Sequence, residues 1–367
     1  MMASLVIFSM LALAFFNGAN DVSKSIATLV GSGVSRYRTA VIWGSIWTFA
    51  GAITAALASH GLVAAFSGKE ILLVPPIGAS LPLAVAVGAL SWIWFATKTG
   101  LPVSTTHAIV GALFGAGATA VGWAGIDGTV LLTKFALPLV VGPLLALSLI
   151  FTVLPAVNRS LSRWQGYCVC VQQPALATGS NSAALVATGP AVVMAGETES
   201  CDRSPVTIAG ITVADGLHWL GAGATAFARG LNDAPKVLGL GIVAATSISV
   251  SLTVAFLGVT VAMTAGSLLR GLKVTETLAE RVTKMEPLEG LTANLVTAGL
   301  VVFASHLALP VSTTHVSSGA IIGLGLKRDA SAIQWKTVRD MALAWVVTLP
   351  AAALVASLVF LILRAIQ

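Results

Sequence analysis

The apolar residues of this chain fall into long runs that are separated by short polar segments. The runs lie at about 3–30, 40–59, 81–98, 101–121, 129–155, 206–227, 230–246, 249–269, 290–307, 310–326 and 341–363. A helix needs roughly 20 apolar residues to cross a bilayer. Some runs exceed that length and others fall short of it. The pattern therefore predicts membrane helices, some of them broken, together with helical hairpins.

One long polar segment divides the chain near its middle. Residues 156–205 are rich in Ser, Thr, Gly and Pro and have no sustained hydrophobic period, which is typical of a linker. The sequence thus predicts a first membrane repeat at 1–155, a linker at 156–205 and a second membrane repeat at 206–367.

The two membrane segments contain the same motifs in the same order. NGAND occupies 17–21 and RGLND occupies 229–233, while LPVSTTH occurs at 101–107 and again at 309–315. The offsets are 212 and 208 residues, so duplication explains the pattern better than chance does. Small residues recur as well, and their spacing indicates close helix packing: Gly111, Gly115, Gly319 and Gly323.

The composition excludes an ordinary soluble protein. Hydrophobic residues make up 56% of the 367 residues and charged residues only 9%, whereas soluble domains contain about 25% charged residues. Lipid must therefore surround most of the chain. The net charge of +6 is explained by Lys and Arg in cytoplasmic loops, so no nucleic-acid partner is predicted.

The distribution of Lys and Arg predicts the orientation in the membrane. If the first loop is cytoplasmic, the cytoplasmic segments contain thirteen basic residues and the external ones three, as the positive-inside rule requires. Equivalent loops of the two halves then lie on opposite faces. We therefore predict an all-α membrane protein with an inverted repeat, in the plasma (inner) membrane, with external termini and a cytoplasmic linker.

A few charged residues lie within or beside the apolar runs. Asp21 and Lys24 in the first half correspond to Asp233 and Lys236 in the second. Burying a charged side chain in a membrane costs roughly several kcal/mol of free energy unless the side chain faces a cavity or a partner. These residues are therefore functional candidates. The alternative is two structural Asp–Lys pairs on helix faces. Arg229 has no basic counterpart and pairs either with an Asp or with an anion.

Amides and carboxylates near the two Asn-Asp motifs suit a small cation. Their oxygen atoms are hard ligands for Na⁺, and an Asp can instead carry a proton. Pro235 is expected to interrupt the helix in the second half. The candidate coupling-ion residues are Asn17, Asn20, Asp21, Asn232 and Asp233.

The LPVSTTH motifs predict two helix N-termini. Pro102 and Pro310 suit a first helical turn, and Ser and Thr supply caps and hydroxyl donors. The positive end of a helix favours an oxyanion, and two inverted copies would direct two such ends at one point in the membrane. A simple helix cap is the alternative for each motif. The candidate substrate-binding residues are Asp21, Ser104, Thr105, Thr106, Asp233, Ser312, Thr313 and Thr314.

Two further residue types leave alternatives open. His107 and His315 follow the hydroxyl clusters and either bind substrate, relay protons or pack. Cys168, Cys170 and Cys201 lie in the linker, as free thiols or as a metal site, although zinc usually needs four ligands. The sequence predicts no cofactor and no metal beyond Na⁺.

At these motifs the chain resembles the inorganic phosphate transporter (PiT) family. The matching residues are GANDV at 18–22 and PVSTTH at 102–107 and 310–315. The resemblance implies an inverted-repeat transporter, often a homodimer, that carries phosphate with Na⁺ or H⁺. The chain departs from the family at Ser23-Lys24-Ser25, where Ala-Asn-Ala is usual, and an ammonium group can occupy a cation's place.

The resemblance also implies residue roles. Phosphate would contact Asp21, Ser104, Thr105, Asp233, Ser312 and Thr313, and Asn20 and Asn232 would help to hold coupling cations.

These observations predict a secondary active transporter that imports inorganic phosphate by symport with Na⁺ or H⁺ and by alternating access. Phosphate retains a proton at neutral pH and can donate it to an Asp, whereas sulfate cannot. A transporter of sulfate or another oxyanion is the alternative, followed by a passive anion channel. An intramembrane Ser/His/Asp hydrolase is disfavoured, because duplicated half-sites give no reason for one nucleophile. We therefore predict that the protein is not an enzyme.

Overall fold

The computed structural model describes residues 1–58, 60–73, 78–173, 175–178, 184–187, 189–202 and 207–366. Most of these residues are helical. A π-helical segment, Leu131–Ala136, joins α7 to α8. The α-helices are α1 Met2–Asp21, α2 Ser23–Gly31, α3 Tyr37–Ala58, α4 His60–Phe66, α5 Ser80–Thr99, α6 Thr105–Val121, α7 Gly128–Val130, α8 Leu137–Leu161, α9 Thr198–Asp202, α10 Val213–Ser247, α11 Leu252–Arg270, α12 Leu272–Glu280, α13 Pro287–His306, α14 Thr313–Arg328 and α15 Trp335–Ile366.

Seven helical segments in the described part of the chain are long and apolar enough to cross a membrane. Apolar side chains such as Leu144 and Val346 are exposed on them, as a lipid environment requires. The prediction of a mostly helical, multi-pass membrane protein is therefore confirmed. The seven segments are Met2–Gly31, Tyr37–Leu57, Ser80–Thr99, Gly128–Trp164, Leu252–Arg270, Pro287–His306 and Trp335–Ile366.

The helices near the Asn-Asp motifs are less interrupted than the sequence suggested. Only Val22 separates α1 from α2, and its backbone remains in the right-handed helical region. Pro235 lies inside the continuous helix α10, so the expected interruption there is wrong. Neighbouring helices bury this part of α10, and such packing makes proline tolerable within a membrane helix.

Two pairs of consecutive helices are joined by the Pro-Val-Ser segments. Gly100 ends α5 with a φ of 79°, a left-handed conformation that glycine adopts without strain. Ser104 and Ser312 are the N-caps of α6 and α14, and each accepts a hydrogen bond from a backbone N–H three residues later. Pro102 and Pro310 therefore precede the caps in non-helical backbone, rather than lying in a first helical turn as expected.

Helices of one half pack mainly on helices of the other. Helix α1 packs on α11, and its counterpart α10 packs on α3. In the same way α6 packs on α15 and α14 packs on α8. A Cβ atom at Gly111 or Gly115 would collide with the α15 backbone, and one at Gly319 or Gly323 with the α8 backbone. These glycines permit the close packing that their spacing indicated.

Two small antiparallel sheets are formed by residues of the linker and, in β5, by residues just after its predicted end at 205, so the chain is not purely α-helical. One sheet has the order β4-β1-β5, and the other pairs β2 with β3. The period-two burial of β1 is too short to stand out against the polar composition around it. The strands are β1 Tyr167–Gln172, β2 Ala175–Thr178, β3 Ala184–Ala187, β4 Val192–Glu197 and β5 Thr207–Thr212.

Candidate functional site

The side chain of Asn17, near the end of α1, links the two halves of the molecule. Its Nδ2 atom lies 3.1 Å from Asp21 Oδ2, 2.9 Å from Thr105 Oγ1 and 3.5 Å from Asp233 Oδ2. Both aspartates are buried, with 1% and 3% of their surface exposed. The structure therefore brings the two Asn-Asp motifs and the first Ser-Thr-Thr motif to one buried place.

Lys24 lies one helical turn after Asp21 and is enclosed by oxygen atoms. Its Nζ atom donates to Asp21 Oδ1 at 2.5 Å, to Asn20 Oδ1 at 2.7 Å and to the Asn20 carbonyl at 2.9 Å. Only 1% of the residue's surface is exposed. Because a buried charge is tolerated only when it is paired and hydrogen-bonded, this arrangement explains how an ammonium group persists here.

Lys236 uses a different set of partners, and most of them belong to the two Pro-Val-Ser-Thr-Thr segments, 102–106 and 310–314. Its Nζ atom lies 3.5 Å from Asp233 Oδ1, 2.8 Å from Thr106 Oγ1 and 2.6 Å from the Val311 carbonyl. The Asp233–Lys236 pair is therefore more open than the Asp21–Lys24 pair. The two halves match in residue type but differ in how the ammonium group is held.

The two Pro-Val-Ser-Thr-Thr segments exchange hydrogen bonds. Thr106 Oγ1 donates to the Val311 carbonyl at 3.1 Å, and Thr314 Oγ1 donates to the Val103 carbonyl at 2.8 Å. Thr313 is buried in the first turn of α14. The N-termini of α6 and α14 thus meet beside the two aspartates.

Arg229 lies buried in α10 and keeps donor capacity. Its Nη2 atom donates to Thr48 Oγ1 at 2.5 Å and to Ser267 Oγ at 3.3 Å. Both its Nε and Nη1 atoms are buried without a hydrogen-bond partner. Within the described ranges no ion pair joins it to Asp21 or Asp233, although both carboxylates attract it electrostatically. Two unpaired guanidinium nitrogen atoms in a buried place favour an anionic ligand.

The sequence interpretation missed two residues that bind the candidate amides. Asn20 Nδ2 lies 3.5 Å from Thr97 Oγ1 and 3.0 Å from the Leu101 carbonyl. Asn232 Oδ1 accepts a hydrogen bond from Ser305 Oγ at 3.2 Å. Thr97 and Ser305 are 208 residues apart, the same offset as the LPVSTTH motifs, so a search for polar residues at that offset would have found them.

The two histidines that follow the hydroxyl clusters pack together. The ring centroids of His107 and His315 are 4.2 Å apart, and His315 lies 4.1 Å from the Trp345 ring. His107 Nδ1 also lies 2.9 Å from Ser104 Oγ. Among the alternatives that the sequence left open, these contacts favour packing and capping.

A basic cavity of about 480 Å³ approaches the site from one side. Lys98, Arg270 and Lys273 contribute its charges, and Thr97 lies in its wall. Since Thr97 contacts Asn20, this cavity lies next to the buried cluster. A basic cavity of this kind raises the local concentration of anions.

A comparison with protein families matches residues 17–356 to the phosphate transporter family. The chain belongs to the phosphate transporter family. This family consists of transporters rather than enzymes, and its cargo is inorganic phosphate, so the predicted family, the transport function and the absence of enzymatic activity are confirmed.

Relatives from several organisms match along nearly the whole chain. A putative phosphate permease of Pyrococcus abyssi is 30% identical, with 96% of each chain covered. A probable low-affinity inorganic phosphate transporter of Rhizobium meliloti is also 30% identical, covering 94% of this chain and 92% of the relative. A solved structure described as the sodium-dependent phosphate transporter aligns over both full chains with a TM-score of 0.75 at 22% identity. This structural match identifies the fold.

Proposed function

We propose that this phosphate transporter family member imports inorganic phosphate through the plasma membrane by secondary active transport. Phosphate would bind where α1, α10 and the two Pro-Val-Ser segments meet. The observation that carries the proposal is the convergence of both Asn-Asp motifs and both Ser-Thr-Thr motifs on one buried cluster. Secondary transporters bind their substrates at such repeat interfaces.

The charges of this cluster suit an anion. Three basic groups, Lys24, Arg229 and Lys236, face the carboxylates of Asp21 and Asp233. With every group ionised, the bases exceed the acids by one charge. A buried uncompensated charge is costly, so a phosphate monoanion, or a dianion together with one cation, would neutralise the site.

Each part of the site would contact a different part of phosphate. The unpaired Nε and Nη1 atoms of Arg229 would donate to phosphate oxygens. The N-termini of α6 and α14 would stabilise the same charge. A protonated phosphate oxygen would donate to Asp21 or Asp233. The hydroxyl donors in this assignment are Ser104, Thr105, Ser312 and Thr313. Thr106 and Thr314 already donate to backbone carbonyls, so they would hold the two Pro-Val-Ser segments together beside the anion.

The coupling ion would be Na⁺ or a proton. Oxygen atoms of Asn17, Asn20 and Asn232, together with the two carboxylates, are suitable Na⁺ ligands. The solved structure with the same fold is described as sodium-dependent, which supports Na⁺. In this chain the Lys24 ammonium group already lies among three such oxygens. The fixed positive charge of Lys24 would therefore replace part of the charge that bound coupling cations would otherwise supply.

Alternating access would use the two halves, 1–155 and 206–367, as an inverted repeat with two helical hairpins. The exchange of helix contacts between α1–α11 and α10–α3 supports this arrangement. The linker would be cytoplasmic and both termini external. The homodimer that the family resemblance implies stays a prediction.

The test is uptake of labelled phosphate and sulfate into proteoliposomes under separately imposed Na⁺ and proton gradients. We expect phosphate to accumulate against its gradient when one of the two cation gradients is present. Sulfate uptake equal to phosphate uptake would show that the transporter accepts oxyanions in general and is not specific for phosphate. Uptake that only equilibrates phosphate would indicate a passive channel.

Variants of the two aspartates test the site. Asp21→Asn and Asp233→Asn should each lower phosphate uptake at least about 100-fold, because hydrogen bonds to charged groups contribute about 1.5–3 kcal/mol each and each carboxylate makes several. Chromatographic behaviour in detergent should match that of the unmodified protein. Unchanged uptake in both variants would assign the Asp–Lys pairs a structural role instead.

A further inference from the structure

The basic cavity beside the candidate site lies where α5 and α11 end and α12 begins. Lys98 is in the last turn of α5, Arg270 is in the last turn of α11, and Lys273 is the second residue of α12. Lys273 Nζ donates to the Lys98 carbonyl. Thr277 Oγ1 donates to the Gly100 carbonyl at 2.9 Å. These contacts tie α12 to the end of α5, so three basic side chains surround one cavity of about 480 Å³.

No acid balances these three charges in the part of the chain that the structure describes. The described residues that line the cavity include no carboxylate, and none of the three bases forms an ion pair with a described residue. Glu276, one turn after Lys273, pairs with Arg281 at 2.6 Å instead. The cavity therefore carries three uncompensated positive charges, which favour an anion.

The wall and the surroundings of the cavity also offer apolar surface. Phe15 of α1 and Trp94 of α5 are among the lining residues. Lys98 Nζ lies 4.3 Å from the centroid of the Trp94 ring, which is a cation–π contact. Trp94 is exposed, and so are Leu269 and Leu272, which adjoin two of the bases in sequence. Tryptophan beside basic residues at the end of a membrane helix is typical of the level where lipid headgroups meet acyl chains.

The position of the cavity favours a lipid over a free anion. Helices α5 and α11 are long and apolar enough to cross the membrane, so bases in their last turns lie at the level of the headgroups. Basic pockets between membrane helices bind the headgroups of anionic lipids. A soluble anion would use the three charges alone, whereas a phospholipid would also cover exposed Trp94 and Leu269 with its acyl chains.

We infer that the cavity lined by Lys98, Arg270 and Lys273 binds one anionic phospholipid. The lipid phosphate contacts the three bases, and the acyl chains cover the exposed tryptophan and leucine side chains. The headgroup lies beside Thr97, whose hydroxyl group contacts Asn20. The lipid site and the candidate transport site therefore share one wall, but the three bases belong to neither the Asn-Asp nor the Ser-Thr-Thr motifs.

The experiment adds an equal mixture of phosphatidylglycerol and phosphatidylcholine to the full-length protein in detergent. Native mass spectrometry counts the lipids that each chain retains. We expect one phosphatidylglycerol per chain, retained about 10- to 100-fold more strongly than phosphatidylcholine, because each base near a headgroup adds to the attraction. Trp94→Ala should weaken this retention about 3-fold, since the cation–π contact and apolar surface are lost. The variant that should abolish the preference combines Lys98→Gln, Arg270→Gln and Lys273→Gln.

A second triple variant is the matched control. It removes the same charge from exposed residues outside the cavity and should retain phosphatidylglycerol as the unmodified protein does. Equal losses in the two triple variants would indicate general charge attraction and overturn the site, and so would unchanged retention in the cavity variant. Displacement of phosphatidylglycerol by inorganic phosphate would assign the cavity to the free anion. Matching circular dichroism and elution volumes verify the fold of all variants. The control substitutions are Arg38→Gln, Lys336→Gln and Arg339→Gln.

Discussion

Arg229 is the residue at which the two halves differ most clearly. Its counterpart in the first half is Asn17, which binds both aspartates, whereas Arg229 binds Thr48 and Ser267 and retains two unpaired donors. A buried guanidinium group with free donors is costly without a ligand. In the proposed mechanism, phosphate would therefore supply the acceptors that Arg229 Nε and Nη1 lack in the protein.

Replacing Arg229 should weaken phosphate binding more than it slows transport. We expect Arg229→Met to raise the KM for phosphate about 10- to 100-fold, because a charge-assisted hydrogen bond contributes about 1.5–3 kcal/mol. Arg229→Lys should give an intermediate KM, since lysine retains the charge but not the planar set of donors. The measurement is initial uptake over a range of phosphate concentrations. A normal KM in Arg229→Met would exclude contact with phosphate.

At the residue scale, the sequence identified which residues meet but not how they meet. Repetition and the cost of buried charge were sufficient to select Asp21, Lys24, Asp233 and Lys236. The contact of Lys236 with the Val311 carbonyl joins residues that are 75 positions apart. Contacts of this kind depend on helix packing, which one sequence does not specify.

At the scale of elements, glycine controls how closely α6 approaches α15 and how closely α14 approaches α8. Backbone atoms of Leu349 and Ala353 occupy the space where Cβ atoms of Gly111 and Gly115 would lie. In membranes such small residues allow the dispersion contacts that hold helices together. These contacts fix the two helices whose N-termini line the candidate site.

Enlarging one of these glycines should separate the helices. Gly115→Leu should destabilise the protein by about 1–3 kcal/mol, the usual cost of overpacking, and should lower its thermal denaturation temperature in detergent. Gly299 is the matched control, because it also lies in a helix but has nothing within 4 Å of the added Cβ position. Gly299→Leu should be nearly neutral, because the position is exposed and the added side chain begins in open space. Equal effects of the two substitutions would contradict this role of Gly115.

Element boundaries were less predictable than element types. Proline is a strong local signal for helix interruption, yet packing keeps α10 continuous through Pro235. Ser104 and Ser312 cap their helices. These serines, and not the prolines two residues earlier, therefore set where α6 and α14 begin. The strands of the linker were not foreseen, because each has only four to six residues and a short apolar alternation is ambiguous.

At the scale of the whole molecule, basic residues should determine the orientation. Thirteen Lys and Arg residues lie in segments predicted to be cytoplasmic and three in segments predicted to be external. A phosphatase fusion that is active only outside the cytoplasm should therefore be inactive when placed in the linker and active at the C-terminus. A fluorescent protein that folds only in the cytoplasm should give the opposite pattern. External activity of the linker fusion would reverse the orientation.

The exchange of helix partners has a consequence for the history of the chain. Helix α1 finds its main neighbour in α11, and α10 finds its main neighbour in α3, so neither half encloses its own polar residues. A half-length chain with this packing would leave the contact faces of α1 and α10 uncovered unless a second copy supplied the missing helices. Under the inverted repeat proposed above, that second copy would be inserted in the opposite direction.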